Sequence, residues 1–320
     1  MSDPSIDDDA LDQSPHKSPQ SERAEADSEQ PVRSLMWVRW SLILLTLFAL
    51  GAVYHREVRK AARRFFANRH ADAASGLLVD ENIAGALARV EQALRWLPND
   101  SALVYLRGQI FAEDENWEAS LRDYTRVIEE LAPEFAFAYV KRAAVHEQMG
   151  NYVLAMDDVK LAMKLSPPDE PSLLNHHAYL CGLANSNLDT AQVEIDRALK
   201  LYRAEAKRQE LPTIEPAAFL DTRGFLLYRV GEYDQALSDI EKALRYLNVE
   251  RKATLEKLTA HEISTSEPMH AYDQMQGEIL YHQGLVRQSL GQTEEAKQDF
   301  DFATELGYEI PPAPSKPAAQ

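Results

Sequence analysis

Cysteine is nearly absent: Cys181 is the only one in 320 residues. That excludes an internal disulfide framework and a Cys-based zinc site, and Cys181 reads as a small buried apolar side chain. Gly (12) and Pro (16) are too few for a collagen-like or low-complexity chain. No β-branched, period-two pattern is sustained anywhere, so the expected fold is all-α. The motifs that usually carry catalysis are missing too. There is no G-x-x-x-x-G-K-S/T, no G-x-S-x-G, no H-E-x-x-H and no EF-hand loop. His146-Glu147 lacks the second His, and the adjacent His176 and His177 would diverge by about 100° on a helix, too far apart to grip one metal. The expectation is a non-enzyme with no cofactor and no metal.

Basic residues are scarce over most of the chain. The net charge is −17, but residues 1–34 hold nine acids and three bases, and residues 35–70 hold seven bases against Glu57. These two segments cancel, so residues 71–320 carry the whole −17. Such a body repels phosphates, which argues against nucleic acid as a partner.

One long hydrophobic run is present. Leu35–Tyr54 holds 20 residues with Arg39 as the only charge, and at 1.5 Å per residue it would cross about 30 Å of hydrocarbon. Trp37 and Trp40 at one end and Tyr54 at the other suit the two interfaces. The preceding segment is long and acidic and no A-x-A site follows, so a single-pass anchor is read rather than a cleaved signal. Residues 1–34, polar and acidic, are expected to be disordered. After the span, Arg56, Arg59, Lys60, Arg63 and Arg64 share one face of a basic juxtamembrane helix over 55–70, placed to meet anionic lipid headgroups. The positive-inside rule then puts the body in the cytoplasm.

Beyond residue 70 the chain repeats itself. The best copy is Asp221–Leu244, in which Gly224, Gly231, Tyr233, Ala236, Ile240 and Ala243 sit at offsets that recur. Small residues return at Ala86, Ser120, Ala155, Ala191, Ala236 and Ala296, seven residues before Ala93, Val127, Ala162, Ala198, Ala243 and Ala303. Val90, Tyr124, Val159, Ile195, Ile240 and Phe300 lie between, completing one buried stripe per helix. The preceding helices carry Ala74, Gly108, Ala143, Tyr179, Gly224 and Gly284 at the close-approach position, Tyr179 being the exception to the small-residue rule. Turns fall at Gly150, Gly231 and Gly291. Insertions interrupt the stack near 201–215 and 248–275, each either a partner-contacting excursion or a longer helix with a solvated loop. The Pro-rich tail, 309–320, is expected to be extended.

These residues resemble the tetratricopeptide repeat (TPR) family. The resemblance implies a right-handed superhelical solenoid of about six helix-turn-helix repeats over 71–308. Its first helices would line a concave groove for a partner peptide or helix. By position, that lining is Tyr105, Gln109, Phe137, Val140, His176, Leu180, Asp221, Phe225, Tyr228, Tyr281 and Leu285. The carboxylate clamp of the family's chaperone-binding members needs Asn where this chain has Leu106, Lys141, His177, Thr222 and His282, so a clamp is not expected. An aromatic lining suits a peptide with hydrophobic anchors, although the same aromatics could simply floor the groove. The expected role is a membrane-tethered protein-interaction scaffold. The alternative is a structural or regulatory subunit of a membrane complex whose groove is filled by its own chain.

A second pattern rides on the repeats. Arg107, Arg142 and Arg223 precede Asp123, Asp158 and Asp239 by sixteen residues, while Asp299 has Gln283 at the matching place. Constant spacing predicts an ion pair between the two helices of a repeat, with a ligand-binding role for the arginines as the alternative. In a double-mutant cycle, Arg223→Met and Asp239→Leu should couple by about 0.5–3 kcal/mol. Strictly additive losses of stability would refute the pairing.

Overall fold

The computed structural model describes residues 19–210, 215–259 and 267–311, with backbone alone for 19–35, 267, 268 and 270. The chain divides into two compact units, residues 1–64 and 65–320. The first helix, α1 (Pro19–Val79), belongs to both. It begins within the stretch whose composition predicts disorder; residues 1–18 lie outside the described part, as do 211–214, 260–266 and 312–320.

In the first unit, no described side chain from Met36 to Arg64 is buried. Trp37, Phe48 and Tyr54 are each about three-quarters exposed (76%, 78% and 74%). This helix is the one stretch among the described residues long and apolar enough to cross a membrane.

The second unit is a stack of helix pairs, with no strand among its described residues. The end of α1 pairs with α2 (Ile83–Trp96), burying Ala74 against Ala86 and Val90. Then come α3 (Ser101–Glu113) with α4 (Trp117–Arg126, closed by a π-type turn at Val127–Leu131), and α5 (Ala136–Gln148) with α6 (Tyr152–Leu165). The last three pairs are α7 (Pro171–Ala184) with α8 (Leu188–Arg208), α9 (Ala217–Arg229) with α10 (Tyr233–Thr259), and α11 (Glu267–Ser289) with α12 (Thr293–Glu305). Each second helix also packs on the first helix of the next pair, and the buried apolar side chains from Ala67 to Ala303 gather in three clusters.

The pairs close on each other by size complementarity. A methyl group on Gly108 would meet Tyr124 at 2.9 Å, one on Gly224 would meet Ile240 at 2.6 Å, and one on Gly284 would meet Phe300 at 2.5 Å. Where the first helix carries Ala74 or Ala143, the facing residue is the smaller Val90 or Val159. In these five pairs glycine appears where the facing side chain is long, and alanine where it is short. The turns at Gly150, Gly231 and Gly291 have φ of +73°, +86° and +78°, a left-handed conformation that glycine adopts without cost.

The repeated ion pairs form as the spacing predicts. Arg107, Arg142 and Arg223 each donate twice to their aspartates, Asp123, Asp158 and Asp239, at 2.6–2.8 Å. In the last repeat the sequence pattern pointed to Gln283, but Arg287, one helical turn later, binds Asp299 at 2.9 Å. Burial raises the Asp299 pKa to about 6, against the pull of Arg287.

The fourth repeat differs from its predicted register, and the turn explains why. In α5 the chain leaves the helix with Gly150 N bonded to Glu147 O and Asn151 N to His146 O, and Asn151 opens α6. In α7 the same two bonds fall on Asn185 and Ser186, and Asn187 follows as an additional residue, with φ +54°. One inserted residue shifts α7 by one position against α8. Ala178, not Tyr179, is therefore the buried small residue, and His177 takes the place of the arginine.

His177 Nδ1 lies 2.6 Å from Glu194. Burial pulls its pKa down, but contacts with Cys181 and Glu194 outweigh that and hold the imidazole at about 9. A His pKa raised from 6.5 contributes stability that is complete below pH 6.5 and lost as pH rises through 9. The melting temperature should therefore fall between pH 6.5 and 9, with a visibly smaller fall in Glu194→Gln. Parallel profiles for the two proteins would contradict this.

Candidate functional site: the concave face

The first helices α3, α5, α7, α9 and α11 adjoin one another along one side of the stack, with α3 against α5, α7 against α9, and α9 against α11. The predicted lining separates along this series into two halves of different character.

Toward the C-terminal end the lining is closed by the chain itself. Leu180, Asp221, Phe225, Tyr228, Tyr281 and Leu285 are all buried. The register shift in α7 leads to this closure. It moves Tyr179 off the small-residue position, and its hydroxyl donates to Glu278 on α11, two repeats away. His282 stacks on Phe225 with ring centroids 4.4 Å apart and lies 2.9–3.0 Å from both carboxylate oxygens of Asp221. Burial pushes the Glu278 carboxyl above its ordinary range, the His282 charge opposing this. For His282 the balance is reversed: burial disfavours its charge, yet Asp221 and Glu278 hold its pKa above the usual imidazole value. Tyr281 is pushed up to about 12 by burial. Tyr179, Glu278, His282 and Asp221 form a hydrogen-bonded polar seam within an apolar wall, while the buried Tyr281 hydroxyl beside it has no hydrogen-bond partner among the described residues.

Toward the N-terminal end the lining stays open. Tyr105, Gln109, Val140 and His176 are half-buried, and Phe137 is 66% exposed. Tyr105 meets Phe135 edge-on at 5.1 Å, and Phe135 meets Phe137 at 5.9 Å, giving a short aromatic run. Beside it, a cavity of about 440 Å³ is lined by Gln109, Ala112 and Glu113 of α3 and by Lys141, Ala144 and Gln148 of α5. Gln274, from the start of α11, borders the same cavity. His176 bridges to Glu147 on α5 at 3.0 Å, while its neighbour His177 points into the core. Spacing indicated which face each first helix presents, but nothing in it signalled Gln148 or Gln274. Those two become neighbours of the site only through the stacking of α5 and the length of α11.

The space offers amides, one ammonium, the carboxylates of Glu113 and Glu115, and aromatic faces. Among the described residues no group of three or more His, Cys, Asp or Glu side chains is arranged to hold a metal ion. Arg56, Arg59, Lys60, Arg63 and Arg64 lie on α1 in the first unit and are all exposed.

The molecule is an all-α helical-repeat solenoid. PilW, described as a widely conserved type IV pilus biogenesis factor, is similar to it with a TM-score of 0.52 and 12% sequence identity, over 76% of this chain and 94% of PilW. A tetratricopeptide repeat protein from Parabacteroides merdae reaches 0.49 at 14% identity over the same shares, 76% and 94%. A MamA double mutant, RS-1 ArsTM, reaches 0.47 at 16% identity over 57% of this chain and 96% of MamA. No protein-family model matches the sequence, and no curated protein matches it either. The chain has the tetratricopeptide-repeat fold.

Proposed function

We propose that this protein is a membrane-tethered interaction scaffold that takes a segment of a partner protein on the open half of its concave face, at α3 and α5. The observation that carries the reading is the contrast along that face. The C-terminal half is packed shut, whereas Gln109, Lys141 and Gln148 border an open cavity beside the exposed Phe137. Gln side chains can pair with an extended backbone, and the Tyr105–Phe135–Phe137 run can take an apolar anchor.

In this reading the apolar run from Leu35 to Tyr54 is a single-pass anchor. The five cations at 56–64 lie against anionic headgroups on the cytoplasmic side, where the body also resides. The scaffold works by binding and placement, not by catalysis, and uses neither cofactor nor nucleic acid. The second reading, a subunit whose groove is filled by its own chain, draws support from the burial of Phe225 and Tyr281.

Photo-crosslinking distinguishes the two. A benzophenone side chain placed at Gln109 or Phe137 of the full chain in native membranes should give a discrete protein adduct, lost when Tyr105→Ala and Lys141→Glu are added. The same probe at the outward-facing Val193, 69% exposed, should give none. Adducts that are equal at Val193, or insensitive to the two substitutions, would count against groove binding.

A further inference from the structure

The exposed face of α6 departs from a pattern that its neighbours keep. Six residues beyond Ser120, Ala191 and Ala236, the helices α4, α8 and α10 carry Arg126, Arg197 and Lys242. Each of these cations reaches the residue two positions before the first helix of its own repeat. Arg126 donates to Asn99 at 2.8 Å, Arg197 to Asp169 and Lys242 to Glu215. A cation at this place ties the second helix to the loop that enters its repeat. In α6 the place is held by Leu161, and Glu134, at the matching loop position before α5, has no hydrogen bond or ion pair among the described residues.

Leu161 does not stand alone. Val153, Leu154 and Leu165 share its face of α6, and the four are 39–65% exposed. At the places of Val153, Leu154 and Leu165, α4 has Glu118, Ala119 and Glu130, and α10 has Asp234, Gln235 and Tyr246. Asp157, Lys160 and Lys164 are exposed on the same side of α6. With 3.6 residues per turn, these seven side chains fall within an arc of about 140°.

The order of residues along that arc fits a second copy of itself. The acid precedes the two bases, and leucines stand at both ends. Turned antiparallel about a two-fold axis near Lys160, Leu154 of one copy falls opposite Leu165 of the other, and Leu161 lies beside its own counterpart. Asp157 then falls between Lys160 and Lys164 of the other copy. A parallel arrangement would set aspartate against aspartate and lysine against lysine, which like-charge repulsion disfavours.

We propose that this face of α6 joins two copies of the protein, helix against antiparallel helix. The leucine row supplies the attraction, and the aspartate–lysine contacts fix the direction. Seven residues a side is well under the roughly 20–30 of a standard stable interface, so the dimer is reversible and depends on concentration. It uses a second helix and leaves the first helices of the concave face out of the contact.

Covalent trapping suits a reversible dimer. The native Cys181 is fully buried, so a short bis-maleimide acts on the full chain, in detergent micelles, only at introduced thiols. Leu161→Cys should give a covalent dimer, and Val193→Cys, exposed on α8, severalfold less. Adding Lys160→Asp with Lys164→Asp should lower the Leu161→Cys yield severalfold, and Asp157→Lys on top of those two should restore it. Should the charge variants expose Cys181, Leu154→Ser with Leu165→Ser tests the same face through its apolar row and should lower the yield likewise. Equal yields from Leu161→Cys and Val193→Cys would overturn the dimer. So would a yield that neither pair of substitutions lowers, or a charge reversal that Asp157→Lys leaves unrestored.

Discussion

The close approach of the two helices within each repeat is the constraint on which the rest of this structure depends. No helix pair here buries enough apolar surface alone, so each must offer a face to the next. Contact at Gly108, Gly224 and Gly284, or at Ala74, Ala143 and Ala178, seats the stripes of the second helices against the first helices of their own pairs. The arginine–aspartate pairs lie beside these contacts and bridge the same two helices; with Asp123 and Asp158 nearly buried, they add geometric specificity more than raw stability.

A single inserted residue in one turn has a consequence at long range. Asn187 shifts α7 by one position, and the tyrosine expected at a helix contact instead reaches α11. With Tyr179, Phe225 and His282 packed together, the groove is divided into a filled half and an open half. The repeats supply the concave shape; the irregularities decide where along it a partner can enter.

Much of this was legible in the residues alone. Helix pairing, the three glycine turns, the small-residue contacts and three of the ion pairs follow from spacing, because each depends on neighbours within one repeat. The register of α7 was not, since His177–Glu194 and Arg142–Asp158 differ in separation by one and the sequence does not mark which turn is longer. The state of the groove was less legible still. Phe137 and Phe225 look alike as aromatic positions on first helices, yet one is 66% exposed and the other 2%. Their difference arises from contacts with the neighbouring repeats, Tyr179 before Phe225 and His282 after it, and periodicity carries no record of those. Asp299 shows the same limit on a smaller scale: its arginine sits one turn from the expected place and still reaches it.

If close helix approach governs the stack, the most direct measurement compares two glycines in helices by urea unfolding of the full chain. A methyl group on Gly224 would meet Ile240 at 2.6 Å, whereas one on Gly76 would meet nothing within 4 Å. Gly224→Ala should lower stability by about 1–3 kcal/mol through overpacking. Gly76→Ala should raise it by about 0.5–1 kcal/mol, the ordinary gain of alanine over glycine in a helix. Equal shifts in the two variants would contradict the account.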